Sequence, residues 1–204
     1  MTAEDPRIDI NRLKGQLPDI YQNVELLARG KRGVVLKANR KGQSVAIKLP
    51  HPFSKANNAM FHEAKNLQRV NKFGLGPRFH DSGESYVVME YVSGTLIGDF
   101  LSLELNVEKI RNVLKAIIDR LVVLDINGIN KQELTNPYKH IIVKNNFQPV
   151  LIDFERARMT RRPSNLTQFS QYLTSSAITG TLNERGVLPD KEEFFKKVRE
   201  YHKT

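Results

Sequence analysis

The sequence contains no cysteine and no tryptophan, and it has no long uninterrupted apolar run. The lack of cysteine excludes disulfides and thiolate metal sites, which is typical of proteins in a reducing cytoplasm. A transmembrane helix needs about 18 or more consecutive apolar residues, so we expect no membrane partner. Aromatic residues make up only 8% of the chain, and they form no visible platform for stacking nucleic-acid bases.

Positive charge is in excess, with 32 lysine and arginine residues against 22 acidic residues and a net charge of +10. This surplus favours polyanionic partners, namely nucleotide phosphates, RNA or acidic protein surfaces, although basic surfaces are also common in ordinary proteins. The 204 residues, of which 40% are hydrophobic, are enough for one large domain or for a compact two-lobed one with a core.

The first half of the chain has the pattern of a small antiparallel sheet. Short apolar runs are separated by turn-forming segments that are too short to connect parallel strands. A helix capped by Ser54 is predicted to end near Asn71, and Gly94 marks a boundary between residues 1–93 and 94–204. The other predicted elements are an amphipathic helix over 9–20 and strands over 24–28, 34–38, 44–49 and 85–91.

The second half is predicted to be mostly helical. Apolar residues recur at helical spacing over 106–127, with Asn106 as the N-cap and Gly128 just beyond the end. Two apolar runs, 140–143 and 150–154, have a connection that looks like a hairpin. Further helices are predicted over 165–173 and 190–201.

A glycine-containing turn, two charged residues and an aspartate are the candidate chemical groups. The turn from Ala28 to Val35 could offer backbone amides to phosphates, although a plain hairpin also needs glycine. Lys48 ends an apolar strand, where a lysine is costly to bury unless it is paired. Glu63 on the predicted helix is its candidate partner, unless it is a solvated helix residue. Asp153 follows an apolar strand and could coordinate Mg²⁺ or simply end the strand in a turn.

These features, in this order, resemble the protein-kinase superfamily over roughly residues 25–158. The segments 131–143, 153–155 and 161–165 are most similar to small archaeal predicted serine/threonine kinases. In having no A-P-E motif, the sequence is also similar to the atypical RIO and KEOPS-complex kinases. The resemblance implies an α+β, protein-kinase-like two-lobed fold. It would have an antiparallel five-stranded N-lobe with one helix, and a reduced, mostly helical C-lobe.

The resemblance further implies ATP and Mg²⁺ as cofactors. Lys48 would contact the phosphates, Glu63 would hold Lys48, and Asp153 would bind the metal. Ala46 would lie against adenine, and the strand that ends near Val92 would present its backbone to the adenine edge. The residues implied to contact ATP are Ala28, Arg29, Gly30, Lys31, Arg32, Gly33, Val35, Ala46, Lys48, Glu63, Met89, Glu90 and Val92.

The catalytic loop departs most from the kinase pattern, because the segment 131–133 reads Lys-Gln-Glu where kinases have H-R-D or H-G-D. The resemblance makes Glu133 the catalytic carboxylate, with a structural ion pair to Lys131 or Lys139 as the alternative. The position of the metal-binding asparagine stays open between Asn136, Tyr138 and His140. Asp153, His140 and Asn136 are therefore the candidate metal ligands.

The function predicted from the resemblance is that of an ATP- and Mg²⁺-dependent serine/threonine protein kinase, acting on another protein or on itself. The altered catalytic loop favours two alternatives. One is a nucleotide-binding regulatory module that docks on RNA or a protein complex, and the other is an ATPase. The basic residues after Asp153 could hold a phosphorylated or acidic substrate or RNA, or could simply be solvated. These residues are Arg156, Arg158, Arg161 and Arg162.

Overall fold

The computed structural model describes residues 9–30, 32–51, 58–175 and 178–187. Within these residues the chain is α+β, and a five-stranded antiparallel sheet in the order β1-β2-β3-β5-β4 forms its N-terminal part. This confirms the predicted fold class and is compatible with a kinase-like two-lobed fold. The elements of this part are α1 (Ile10–Lys14), β1 (Gln22–Arg29), β2 (Gly33–Arg40), β3 (Gln43–Pro50), α2 (Ala59–Asn71), β4 (Phe79–Ser82) and β5 (Val87–Glu90).

Strand β3 has two faces with different environments, because alternate residues of a strand point to opposite sides of the sheet. Val45, Ile47 and Leu49 are buried in an apolar cluster that also contains Leu13 of α1. Ala46 and Lys48 point to the opposite face, which carries the larger core and the candidate site. The two-residue period of the strand therefore sends Lys48 toward the site.

The remaining described residues form helices and short strands. β6 pairs with β8, β8 pairs with β9, and β10 pairs with β7, all antiparallel. The elements are β6 (Thr95–Leu96), α3 (Ile97–Leu103), α4 (Val107–Ile126), β7 (Ile129–Asn130), a 3-10 turn (Pro137–Lys139), β8 (Ile141–Val143), β9 (Pro149–Leu151), β10 (Arg158–Met159), α5 (Asn165–Leu173) and α6 (Thr179–Glu184).

Helix α4 begins and ends where the sequence predicts. The side chain of Asn106 accepts a hydrogen bond from the backbone nitrogen of Lys109 at 3.0 Å, and Gly128 beyond the last turn has φ of 67°. The apolar stripe of α4 is fully buried at Ile110, Ile117 and Leu124. Among the described helices, α4 included, none has the length and apolar character required to cross a bilayer.

Several predicted boundaries differ from the structure. The helix predicted over 9–20 ends at Lys14, because the turn at Gly15 and the proline at position 18 stop it. The predicted cap Ser54 lies outside the described residues, and α2 is described from Ala59 onward. The helix predicted over 190–201 also lies outside them. Helix α3 and the placement of β4 were not predicted.

Gly94, in the connection between β5 and β6, packs directly against the backbone of β8. A Cβ atom at this position would lie 2.3 Å from the carbonyl oxygen of Val143, far inside contact distance. We therefore expect Gly94→Ala to lower the free energy of unfolding by about 1–3 kcal/mol in urea titrations.

Gly180 in α6 provides the matched control for this substitution. A Cβ atom there would meet no atom of the described residues within 4 Å, so Gly180→Ala should be neutral or stabilising by up to about 1 kcal/mol. Equal stabilities for the two variants would contradict the close packing of Gly94 against β8.

Candidate active site

A cavity of about 450 Å³ lies between the five-stranded sheet and the segments that follow it. The turn between β1 and β2 covers one side, the inner faces of β3 and β5 form another, and loop residues close the third. Lys31 lies outside the described residues. The other residues implied to contact ATP, together with Glu133 and Asp153, all line this cavity: Ala28, Arg29, Gly30, Arg32, Gly33, Val35, Ala46, Lys48, Glu63, Met89, Glu90 and Val92.

Lys48 is the centre of the charged part of the cavity. Its Nζ lies 2.9 Å from Glu63 Oε2 and 2.7 Å from Asp153 Oδ1. The same nitrogen lies 3.1 Å from Glu155 Oε2, so three carboxylates surround one buried ammonium. This group joins strand β3, helix α2 and the loop after β9, and it brings together the three residues that sequence reasoning selected separately.

The electrostatics of this group follow from burial and from the mutual contacts of its members. Burial by itself would lower the pKa of Lys48, but the carboxylates of Glu63, Asp153 and Glu155 outweigh that effect and raise it. Burial would raise the pKa of Asp153, whereas the charge and hydrogen bond of Lys48 lower it to about 2. Both groups are therefore charged at neutral pH, as phosphate and metal binding require.

Helix α2 fixes the segment around Asp153 through two fully or nearly buried side chains. Glu63 Oε1 accepts a hydrogen bond from the backbone nitrogen of Phe154 at 3.0 Å. Asn66 donates to the carbonyl oxygens of Phe154 and Ala157, at 2.9 and 2.7 Å. Phe154 itself is fully buried in the larger core. The position of Asp153 is therefore set by helix α2 on one side and by core packing on the other.

Glu155 lies two residues after Asp153, and its side chain makes contacts that sequence reasoning did not foresee. Its carboxylate, only 8% exposed, lies 3.4 Å from the guanidinium of Arg32 as well as 3.1 Å from Lys48. Arg32 belongs to the turn between β1 and β2, so Glu155 links that turn to the Asp153 loop. The only sequence signal for these contacts was an acidic residue two positions after Asp153.

Glu133, His140 and Asp153 form a second group of polar side chains, of which Glu133 and Asp153 line the cavity. His140 Nε2 lies 4.0 Å from Glu133 Oε2, and His140 Nδ1 lies 3.9 Å from Asp153 Oδ2. The other oxygen of Glu133 pairs with Arg156 at 2.8 Å, a partner that sequence reasoning did not consider. Burial, followed by the charge of Lys131, lowers the pKa of His140, so its imidazole is neutral at neutral pH.

Asn136 and Tyr138, the other two candidates for the metal-binding asparagine position, do not lie beside Asp153. Asn136 is exposed and does not line the cavity. Tyr138 turns away toward α3, where its hydroxyl donates to Asp99 Oδ1 at 2.5 Å and its ring packs on Gly98. Among the three candidates, only His140 faces Asp153.

The backbone of the candidate site is strained at three non-glycine residues. Gln132, Glu133 and Asp153 have φ values of 66°, 60° and 64°, in the left-handed region that most residues avoid. Such conformations persist where surrounding contacts fix them, and they concentrate at functional sites. Two of these three residues carry candidate chemical groups.

A buried polar hub behind the site holds the loop of Glu133, and sequence reasoning missed it. Asn165 at the start of α5 accepts a hydrogen bond from the backbone nitrogen of Lys131 at 2.7 Å. Its amide donates to the carbonyl of Ile129 and to Asp125 Oδ1, both at 2.6 Å. Asp125 also accepts from the backbone nitrogen of Leu166, at 3.2 Å, at the N-terminus of α5.

Lys131 is fully buried behind Asp153 and is expected to make stability depend on pH. Its Nζ donates to the carbonyl oxygen of Asp153 at 3.0 Å and lies 5.3 Å from the centre of the Phe154 ring. Burial lowers the pKa of Lys131 to about 8. Between that value and the ordinary pKa of lysine, the unfolded chain binds a proton that the folded chain has lost. The free energy of unfolding therefore rises with pH in this window.

We expect a gain of about 1 kcal/mol between about pH 7 and pH 9. Urea titrations at the two pH values measure it, and Lys131→Met should remove the gain. A variant that keeps the full pH dependence would show that another group is responsible.

Comparison with known proteins agrees with a protein-kinase-like fold, although no protein-family model matches the sequence. The chain is similar to two mitogen-activated protein kinases of Drosophila melanogaster. It is 28% identical to p38b over 108 residues and 28% identical to p38a over 114 residues. The matches cover 49% and 52% of this chain but only 30% and 31% of those kinases, so the chain spans about a third of the relatives.

Proposed function

We propose that this chain is an ATP- and Mg²⁺-dependent phosphotransferase, and specifically an atypical serine/threonine protein kinase. The observation that carries the proposal is the contact of Lys48 with both Glu63 and Asp153 inside one cavity. Distant similarity to two protein kinases supports the same chemistry. Within that class we assign the chain to the small archaeal predicted kinases, near the RIO and KEOPS-complex kinases, and to the cytoplasm.

In this proposal the sheet and helix α2 form an N-lobe, residues 1–93, and residues 94–204 form a reduced C-lobe. Adenine lies between Ala46 and the connection after β5, where Met89 and Val92 line the cavity. Gly33 packs closely against β3, because a Cβ there would lie 3.5 Å from Lys48 Cε and 2.9 Å from the carbonyl oxygen of Leu49. The backbone of the β1–β2 turn then faces the phosphate tail.

The charged residues divide the chemistry between them. Lys48 neutralises charge on the phosphates, and Glu63 keeps Lys48 extended toward them. Asp153 supplies a hard oxygen ligand for Mg²⁺, which would neutralise charge on the transferred group when bound. Glu133 orients the acceptor hydroxyl and accepts its proton. The ion pair of Glu133 with Arg156 must weaken before Glu133 can accept that proton, since Arg156 already contacts one of its oxygens.

A second candidate function is a nucleotide-binding regulatory module that does not transfer phosphate. The contact between Glu133 and Arg156 favours it, because that contact occupies the proposed catalytic carboxylate. The exposed Arg158, Arg161 and Arg162 would then dock on RNA or on an acidic protein surface. ATP hydrolysis without transfer to protein is a third outcome.

Incubation of the full chain with γ-labelled ATP and Mg²⁺ separates these functions. Label on the chain itself, or on an added protein, supports the protein kinase. Free phosphate without protein label supports the ATPase, and nucleotide binding alone supports the regulatory module. Asp153→Ala should abolish transfer, whereas Asp119→Ala, on the exposed face of α4, should leave it unchanged. Transfer that survives in Asp153→Ala would reveal a contaminating kinase.

A further inference from the structure

His140 occupies the place where the kinase pattern requires an amide ligand to the metal, and the side chain there is an imidazole. His140 lies directly before β8, and its backbone is held on both sides. Its nitrogen donates to the carbonyl of Pro137 at 2.8 Å, and its carbonyl accepts from the nitrogen of Ile152 at 2.9 Å. The ring position therefore follows from the hairpin that also carries Asp153.

The Nδ1 atom of His140 is buried and has no hydrogen-bond partner among the described residues. The nearest carboxylate oxygen is Asp153 Oδ2, which lies 3.9 Å away. That distance is too long for a hydrogen bond. Lys48 contacts the other oxygen, Oδ1, and leaves Oδ2 turned toward the histidine. The Nδ1 atom of the ring and a carboxylate oxygen thus face each other across a gap with nothing from the described protein between them.

The size of this gap suits one shared cation. Metal–ligand bonds to first-row divalent ions and Mg²⁺ are about 2.1 Å long, so two ligands of one ion lie roughly 3–4.2 Å apart. His140 and Asp153 fall within that range.

A second carboxylate, Glu133, lies on the other side of the ring. Its Oε2 is 4.0 Å from His140 Nε2, the nitrogen that would carry the proton, and this distance is also too long for a hydrogen bond. Glu133, His140 and Asp153 form a group in which ligand atoms lie within 4.8 Å of one another. A further oxygen donor therefore stands beside the gap between His140 and Asp153.

We propose that His140 Nδ1 and Asp153 Oδ2 bind one divalent cation, and that this site selects Mn²⁺ over Mg²⁺. Imidazole is a poor ligand for Mg²⁺, which prefers oxygen, whereas first-row transition ions bind it well. The inference rests on the proposed function, since it concerns the metal that accompanies ATP. It assigns a preference for Mn²⁺ and makes His140 the residue that determines that preference.

Pulsed electron paramagnetic resonance of Mn²⁺ tests the proposal without measuring activity. The full chain is loaded with Mn²⁺ and the β,γ-methylene analogue of ATP, which has no nitrogen in its phosphate chain. The wild type should give nitrogen couplings from a directly bound imidazole. His140→Asn should lose these couplings while retaining an oxygen ligand, and Glu133→Gln should keep them. The ratio of Mn²⁺ to Mg²⁺ affinity should fall about tenfold in His140→Asn.

The outcomes separate this proposal from the proposed function. Mn²⁺ and nucleotide that bind together without imidazole coupling would overturn the role of His140 and leave ATP binding intact. A water molecule, instead of the cation, between His140 Nδ1 and Asp153 Oδ2 would do the same. Failure of the wild type to bind nucleotide with either cation would reject both. Couplings that persist in His140→Asn would assign the nitrogen to another residue and overturn the proposal.

Discussion

Replacing Lys48 with methionine is expected to lower the free energy of unfolding by about 3–5 kcal/mol at neutral pH. The substitution leaves three carboxylates without their shared cation, and the side chain of Glu63 is completely buried. A buried charge that has lost its partner is far more costly than an exposed one. Urea titration of the full chain measures the loss.

Two further variants identify the origin of this loss. The double variant Lys48→Met with Glu63→Gln should recover at least about 2 kcal/mol, because it removes the unpaired buried charge as well. Lys37→Met is the matched control. Lys37 lies on the neighbouring strand β2 and pairs with Glu25 at 3.2 Å, but its side chain is 33% exposed and that of Glu25 is 63% exposed. Lys37→Met should lower the free energy of unfolding by less than about 1 kcal/mol. A Lys48→Met variant no less stable than Lys37→Met would contradict a structural role for the cluster.

The pH dependence of Lys48→Met provides an independent check. Burial raises the pKa of Glu63, and Lys48 opposes that effect in the wild type. Without Lys48 the folded state binds a proton at Glu63 more tightly than the unfolded chain does. The added stability is present at low pH and is lost as pH rises through the folded pKa. The deficit of the variant should therefore shrink between neutral pH and about pH 5.

Replacing Asn165 with alanine is expected to lower the free energy of unfolding by about 2–4 kcal/mol. The side chain is fully buried and makes hydrogen bonds with the backbone of Lys131, the backbone of Ile129 and the carboxylate of Asp125. Its removal leaves a buried amide and a buried carbonyl without partners. Since the segment held by Asn165 leads to Glu133, label transfer from ATP should also fall.

Asn112 offers a control for the Asn165 substitution. It is exposed on α4, and its side chain makes no hydrogen bond or ion pair within the described part of the chain. Asn112→Ala should change the unfolding free energy by no more than about 0.5 kcal/mol. If Asn165→Ala were equally mild, the hydrogen-bond hub would not be what positions the loop of Glu133.

The sheet and the long helix could be predicted because their signals are local. Apolar runs between turn-forming segments define β2 and β3, and helical spacing with a capping asparagine defines α4. β4 was not located because its residues, Phe79–Ser82, include only one apolar side chain. Helix α3 has just seven residues and no side-chain cap. Short elements of this kind are stabilised by tertiary contacts, which sequence patterns do not contain.

The candidate site was predictable where each residue sits in a recognisable local pattern. Lys48, Glu63 and Asp153 were each selected in this way, although Asp153 lies 105 residues beyond Lys48. The contacts of Glu155 with Arg32 and of Glu133 with Arg156 were not predictable. Both depend on how loops meet in the folded chain, and an isolated charge in a sequence does not reveal its partner.

The carboxylate of Glu155 occupies the cations that the phosphates of a bound nucleotide would contact. It already touches Lys48 and Arg32, two cations that line the end of the cavity where phosphates would lie. In the proposed function, the triphosphate of ATP would have to displace this carboxylate, so the affinity for ATP would depend on how strongly Glu155 holds Lys48 and Arg32. Removing the negative charge of Glu155, as in Glu155→Gln, should therefore raise the affinity for ATP. The ion pairs of Glu155 thus set how readily the cavity accepts the nucleotide.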